Sequence, residues 1–98
     1  MALKVIWSPL AENDLEIVLY FLQEIWNEHV VNEFINEIEK TINQISINSK
    51  LFPVINKKKK VRKCVLTRHN TIFYREKNGS IEIIRLFDSR QDPKKLKY

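Results

Sequence analysis

The chain has 98 residues, a net charge of +5, 44% hydrophobic residues and a single cysteine. That length fits one domain, spanning 1–98, with a modest core that buries roughly 60–65% of the unfolded surface. A lone cysteine excludes an internal disulfide, one cysteine with two histidines supplies no structural zinc set, and no apolar run approaches the roughly 20 residues of a membrane span.

Leu3–Trp7 is short, β-branched and aromatic, which predicts a strand. Ser8-Pro9 then reads as an N-cap followed by a proline at the first helical position, where no amide donor is needed. Leu15, Val18, Leu19, Leu22 and Ile25 recur at helical spacing, widened by Tyr20 and Phe21, and predict a helix over 9–26. Asn27 reads as a break and a second cap. Val31, Phe34, Ile35, Ile38, Ile42 and Ile45 predict a second helix over 28–48, the two forming an antiparallel hairpin with facing stripes.

Lys50–Val54 ends the helical part, and Lys57–Lys60 reads as a basic loop. From residue 61 the apolar period changes to two, predicting strands over Val61–Leu66, Thr71–Glu76 and Ser80–Phe87. Asn78-Gly79 is the strongest turn signal, a two-residue type I′ hairpin. It sets Lys77 against Ser80, Arg75 against Glu82, Tyr74 against Ile83, Phe73 against Ile84 and Ile72 against Arg85. One face of this hairpin should pack on the helices, leaving the other half-wet or covered by a partner. The polar tail 92–98 is expected to fray. The order β-α-α-β-β-β predicts an α+β fold: an N-terminal strand, a helical hairpin and a three-stranded antiparallel meander. The opening MALKVIWSP has no charged segment followed by an apolar one, which predicts a cytoplasmic protein.

Charge divides the chain in two. Residues 1–49 hold two lysines against eight acids, whereas residues 50–98 hold fifteen Lys and Arg against four acids. A basic half of this kind attracts a polyanion or an acidic protein. The only glycine lies in the hairpin turn, so no phosphate-cradling glycine loop exists, and no grouping predicts a metal or a cofactor. Cys64 alternates into a strand and reads as core. His69, between two strands, reads either as a turn residue or as a proton carrier or phosphate donor. Arg62, Arg68, Arg75, Arg85 and Arg90 all fall in the second half, where planar guanidinium groups suit phosphate or carboxylate. Arg85 and Arg90 read either as such contacts or as structural partners of Asp88 or Asp92.

Taken in order, Trp7-Ser8-Pro9, Ala11, Asp14-Leu15, the long hairpin, Pro53, Arg68–Arg75, Ile81–Arg85 and Arg90–Pro93 resemble the RelE/ParE superfamily over nearly the whole chain. These are the toxins of bacterial type II toxin–antitoxin modules, and the details resemble the ParE-like, plasmid-stabilisation type. The resemblance implies a toxin held inactive by a small, acidic cognate antitoxin. It also implies one of two targets: DNA gyrase, poisoned without catalysis, or the ribosome with its mRNA, cleaved by a RelE-like nuclease. In alignment with the nucleases, Thr71 and Cys64 stand where they carry an arginine and a lysine. Arg62 and Arg90 match basic positions, and Tyr98 lies near a catalytic tyrosine. A nuclease would therefore draw on Arg62, His69, Arg90 and Tyr98. Target or antitoxin contacts would draw on Arg62, Arg68, Arg85, Arg90, Lys94 and Lys95. The residues by themselves also admit a basic nucleic-acid-binding module without toxicity.

Overall fold

The computed structural model describes residues 2–97. Strand β1 (Lys4–Trp7) leads into helix α1 (Pro9–Ile25), a two-residue link and helix α2 (Glu28–Ile47). Four strands follow: β2 (Val54–Asn56), β3 (Val61–Val65), β4 (Asn70–Lys77) and β5 (Ser80–Asp88), then a 3₁₀ turn over Pro93–Lys95. The architecture is α+β, as expected, with one strand more than the sequence reading placed.

The caps act as the sequence suggests. The Ser8 hydroxyl accepts from the Ala11 amide at 3.0 Å, and the Asn27 Oδ1 accepts from the Val30 amide at 3.1 Å. Each satisfies one of the amides a helix start leaves unpaired. Each helix stops one residue short of the expected bound, because Trp26 and Asn48 leave helical geometry and serve as C-caps.

The sheet has the order β1-β5-β4-β3-β2, with β1 parallel to β5 and the other pairs antiparallel. Strand β2 escaped prediction. It has three residues squeezed between Pro53 and the lysine turn, with only Val54-Ile55 to mark it. The Asn78-Gly79 turn forms with both residues at positive φ, and Arg75 meets Glu82 across the ladder at 2.9 Å. The expected register holds from Lys77 to Tyr74 and then slips by one, so that Phe73 faces Arg85 and Ile72 faces Leu86.

The cause of the slip is tertiary. As the chain leaves β1, the Ser8 amide donates to the Ile83 carbonyl at 2.9 Å and its hydroxyl donates to the Ile84 carbonyl at 2.7 Å. Two successive carbonyls of β5 thus point toward the same neighbour. A regular strand cannot do this, and a bulge can. The bulge adds one residue to β5 and exchanges the faces of everything after it.

The core has two parts. Between sheet and helices lie Phe34, Ile38, Ile45, Cys64, Ile72, Tyr74, Ile81, Ile83 and Leu86, all buried. On the outer face Val61, Phe73 and Phe87 form a smaller cluster, packed against Ile84 and Leu96. Part of the polar tail is built onto the sheet. Asp92 caps the 3₁₀ turn, and Leu96 packs on the outer cluster, whereas Val65 on the same face stays exposed, so the second face is partly covered by the chain and otherwise wet.

Candidate functional site

Arginine 85 is drawn inward rather than presented. Its Nε and Nη2 donate to the two carboxylate oxygens of Asp14 at 2.8 and 3.0 Å, and its Nη1 donates to the carbonyls of Lys95 and Lys97. Both side chains are largely buried, at 11% and 13% exposure. The same carboxylate accepts from the Leu86 amide at 3.1 Å. Asp14 therefore closes the edge of β5 that β1 leaves open beyond Trp7, and Arg85 ties helix α1 to the tail. The expected partner of Arg85, Asp88 or Asp92, is corrected to Asp14. Proximity in sequence points to Asp88 or Asp92, whereas the actual partner comes from α1, 71 residues away, and the bulge sets Arg85 on the same face as Phe73, beside the tail carbonyls.

Arg68, His69 and Arg90 are brought together. The β3–β4 loop and the segment after β5 are joined by the Ser89 amide, which donates to the His69 carbonyl at 2.7 Å. The loop holds its shape through the Thr67 hydroxyl, which accepts from the Asn70 amide and side-chain Nδ2 at 3.2 and 3.1 Å. Arg68, His69 and Arg90 line a cleft of about 500 Å³ whose helical wall is Phe21, Leu22, Trp26, Val30 and Phe34, with Glu33 and Glu37 beside them. Asn70 lines it too, and among the described residues its Oδ1 is the one buried side-chain polar atom without a partner.

Arg90 does not enter this cleft as an uncompensated cation. Its Nε and Nη2 donate to the Asp88 carboxylate at 3.0 and 2.6 Å, and its guanidinium carbon stands 5.7 Å from the centroid of the Phe21 ring. The hydrogen bonds from Arg90 hold the Asp88 carboxyl below the usual carboxylate range, against the opposing effect of partial burial. Here the pairing with Asp88 considered from the sequence is found. Phe21 belongs to an exposed apolar stripe of α1 with Ile17 and Ile25, which continues to Trp26. Phe21, Trp26 and Asn70 were not marked as site residues. Phe21 reads from the sequence as part of the helical stripe, and only its exposure shows the difference.

The remaining basic residues lie elsewhere. Arg62 faces Tyr74 across the β3–β4 ladder, and its Nη1 donates to the Phe52 carbonyl at 2.7 Å. Four residues of strand, about 13 Å, separate Tyr74 from the Asn70 end of β4. Arg62 instead lines a second cleft with Lys50, Lys57 and Lys60. Lys94 and Lys95 are exposed on the 3₁₀ turn, and Tyr98 lies outside the described residues. Cys64 is buried, and desolvation pushes its thiol up to about 11. Thr71 is half-buried on β4 opposite Val65 and Phe87. Buried Tyr74 donates its hydroxyl to the Ser49 carbonyl at 2.9 Å and meets Phe52 edge to face.

This geometry can be set beside known proteins. The profile of the ParE toxin of the type II toxin–antitoxin system parDE matches residues 5–93. The chain belongs to the ParE toxin family. Solved structures share the fold of this ParE-family toxin at low identity. A chain of the chromosomal ParDE TA system from P. aeruginosa superposes with a TM-score of 0.73 at 16% identity, covering 89% of this chain and 96% of that one. A chain of the E. coli DinJ-YafQ toxin–antitoxin complex gives 0.61 at 10% identity, covering 90% and 93%. A conserved hypothetical protein from Helicobacter pylori gives 0.54 at 20% identity, covering 88% and 93%. No curated protein matches the sequence significantly.

Proposed function

We propose that this ParE-family toxin acts by gripping DNA gyrase, not by cleaving RNA, and that a cognate acidic antitoxin neutralises it. The observation that carries this reading is the state of Arg90. Phosphoryl-transfer catalysis on RNA needs cations aimed at the developing charge. Arg90 is instead matched by Asp88 and laid on Phe21. Cys64 and Thr71 supply no charge where the nucleases carry basic side chains, and Arg62 lies about 13 Å along the sheet. What the cleft offers is aromatic and aliphatic surface edged by the guanidinium groups of Arg68 and Arg90 and by the carboxylates of Glu33 and Glu37. Interfaces concentrate their energy in such anchors.

The antitoxin would be an acidic segment with apolar side chains. Its binding energy would come mainly from burying Phe21, Trp26 and their neighbours, and its charge would speed and steer the encounter. The P. aeruginosa and E. coli structures are described as toxin–antitoxin systems, which supports a partner of that kind. Supercoiling by purified gyrase, assayed beside cell-free translation, tests the target. Inhibited supercoiling with cleaved-complex accumulation and intact translation is expected. Cleaved mRNA with untouched supercoiling would overturn the reading in favour of a nuclease.

A further inference from the structure

At the other end of β4, six residues or about 20 Å from Asn70, the surface has a different chemistry. Lys50, Lys57, Lys60 and Arg62 surround a cleft of about 400 Å³ beside Ser49 and Glu76. A neighbouring hollow is walled by Lys58, Lys60, Arg75 and Lys77. Glu76 is the only acid among the described residues lining either, and the Ser49 hydroxyl already donates to it. Such a concentration of one sign works against the fold by self-repulsion. Lys60 adds a backbone cost, since it holds φ at 59°, a left-handed position that glycine or asparagine would take more cheaply. The turn itself is shaped by the Asn56 side chain, which accepts from the Lys59 amide at 2.9 Å, and does not require this charge.

We infer that this lysine-rich end of the sheet binds the phosphate backbone of duplex DNA, independently of the Arg90 cleft. The lining residues select the ligand. Among the described residues neither hollow presents an aromatic ring, so the bases of a single strand find no stacking platform there. Among the described residues Val54 is the only apolar side chain in either lining, too little to repay the ordering of an acidic peptide. Lysines on flexible stems act as point charges that need no fixed partner geometry, which suits phosphates read without regard to sequence. The inference does not rest on gyrase being the target, because it concerns contact between this chain and nucleic acid alone.

Fluorescence anisotropy of a short labelled duplex with the full chain tests it. Four neutralised phosphates give a slope of log K against log salt of about −3.6, or roughly a 150-fold loss of affinity between about 50 and 200 mM salt. The combined Lys50→Gln, Lys57→Gln, Lys60→Gln variant should lose about 2.7 of that slope. A Lys4→Gln, Lys40→Gln variant, which removes exposed charge from β1 and α2, should keep it. Acetylation footprinting of the unaltered chain gives an answer that needs no variant: the duplex should protect Lys57 and Lys58. Absent or salt-insensitive binding, an unchanged slope in the triple variant, or tighter binding of single-stranded RNA or polyglutamate would each overturn the inference.

Discussion

Replacing Arg85 with alanine should cost far more stability than replacing any other arginine of the chain. The Asp14–Arg85 pair is nearly sealed from water, and removing one member of such a pair costs roughly 3–5 kcal/mol, because the remaining charge stays buried without its partner. Here the loss spreads further. The carbonyls of Lys95 and Lys97 lose their shared donor, so the strap that lays Leu96 over Val61, Phe73 and Phe87 is released as well. A domain of this size has a total stability of only about 5–15 kcal/mol. Each kcal/mol moves the midpoint by about 4–8 °C, so a fall of at least about 12 °C is expected.

Urea unfolding read by circular dichroism, with Asp14→Ala, Arg85→Ala and the double variant, gives the coupling directly. Groups in direct contact couple by about 0.5–3 kcal/mol, and strict additivity would refute the brace. Arg85→Lys keeps the charge and loses the fork, so it should recover only part of the stability. An Arg85→Ala protein that unfolds within about 0.5 kcal/mol of the parent would show that Arg85 behaves as an ordinary surface residue.

Arg90→Ala should do the reverse, leaving the thermal midpoint near that of the parent and abolishing most growth inhibition on induction. Its side chain is half-exposed, and the apolar clusters do not depend on it. A large fall in midpoint, with toxicity lost only in step with soluble protein, would make it a structural clasp of Asp88. Cys64 should resist iodoacetamide in the native chain at neutral pH and react fully on unfolding, as mass spectrometry would register. Its raised pKa means the folded state holds the proton more tightly, so stability is intact below about 9 and lost between 9 and about 11. That is roughly 1.4 kcal/mol by pH 10, which a Cys64→Ala variant would not lose.

The parts legible in the sequence were those governed by neighbours in the chain. Ser8-Pro9 and Asn27 announce the helix starts because a cap acts over three residues, and Asn78-Gly79 fixes the first four pairs of the hairpin because turn geometry is local. The register beyond Tyr74 was not legible, since it depends on Ser8 reaching across 76 residues to the Ile84 carbonyl. The same is true of Arg85, whose partner lies 71 residues away. Both are set by contacts made from another element. The bulge turns the end of β5 over, and no alternation pattern records an extra residue held in place from another element. The cleft was half-legible. Arg68, His69 and Arg90 stood out as charges, but its aromatic wall was hidden in a helix whose apolar stripe is wider than its buried face.

Strand β4 thus separates two kinds of recognition chemistry. At its Asn70 end, Arg90 has its carboxylate and its aromatic ring already in place, and the Asp88 carboxyl is held in its charged form by that contact. A partner there gains little from supplying one more acid, because the guanidinium would have to trade Asp88 for it. It gains by covering Phe21 and Trp26, at about 25 cal/mol for each Å² of apolar surface removed from water. At the Lys77 end the balance is inverted: among the described residues cations gather around one glutamate, and Val54 alone is apolar. Salt should therefore separate the two. Binding through the aromatic cleft should change little between about 50 and 200 mM salt, whereas binding through the lysine turn should fall steeply. A target complex that used both ends would lose the salt-sensitive part alone when Lys50, Lys57 and Lys60 are neutralised, and the salt-insensitive part alone when Phe21 and Trp26 are truncated.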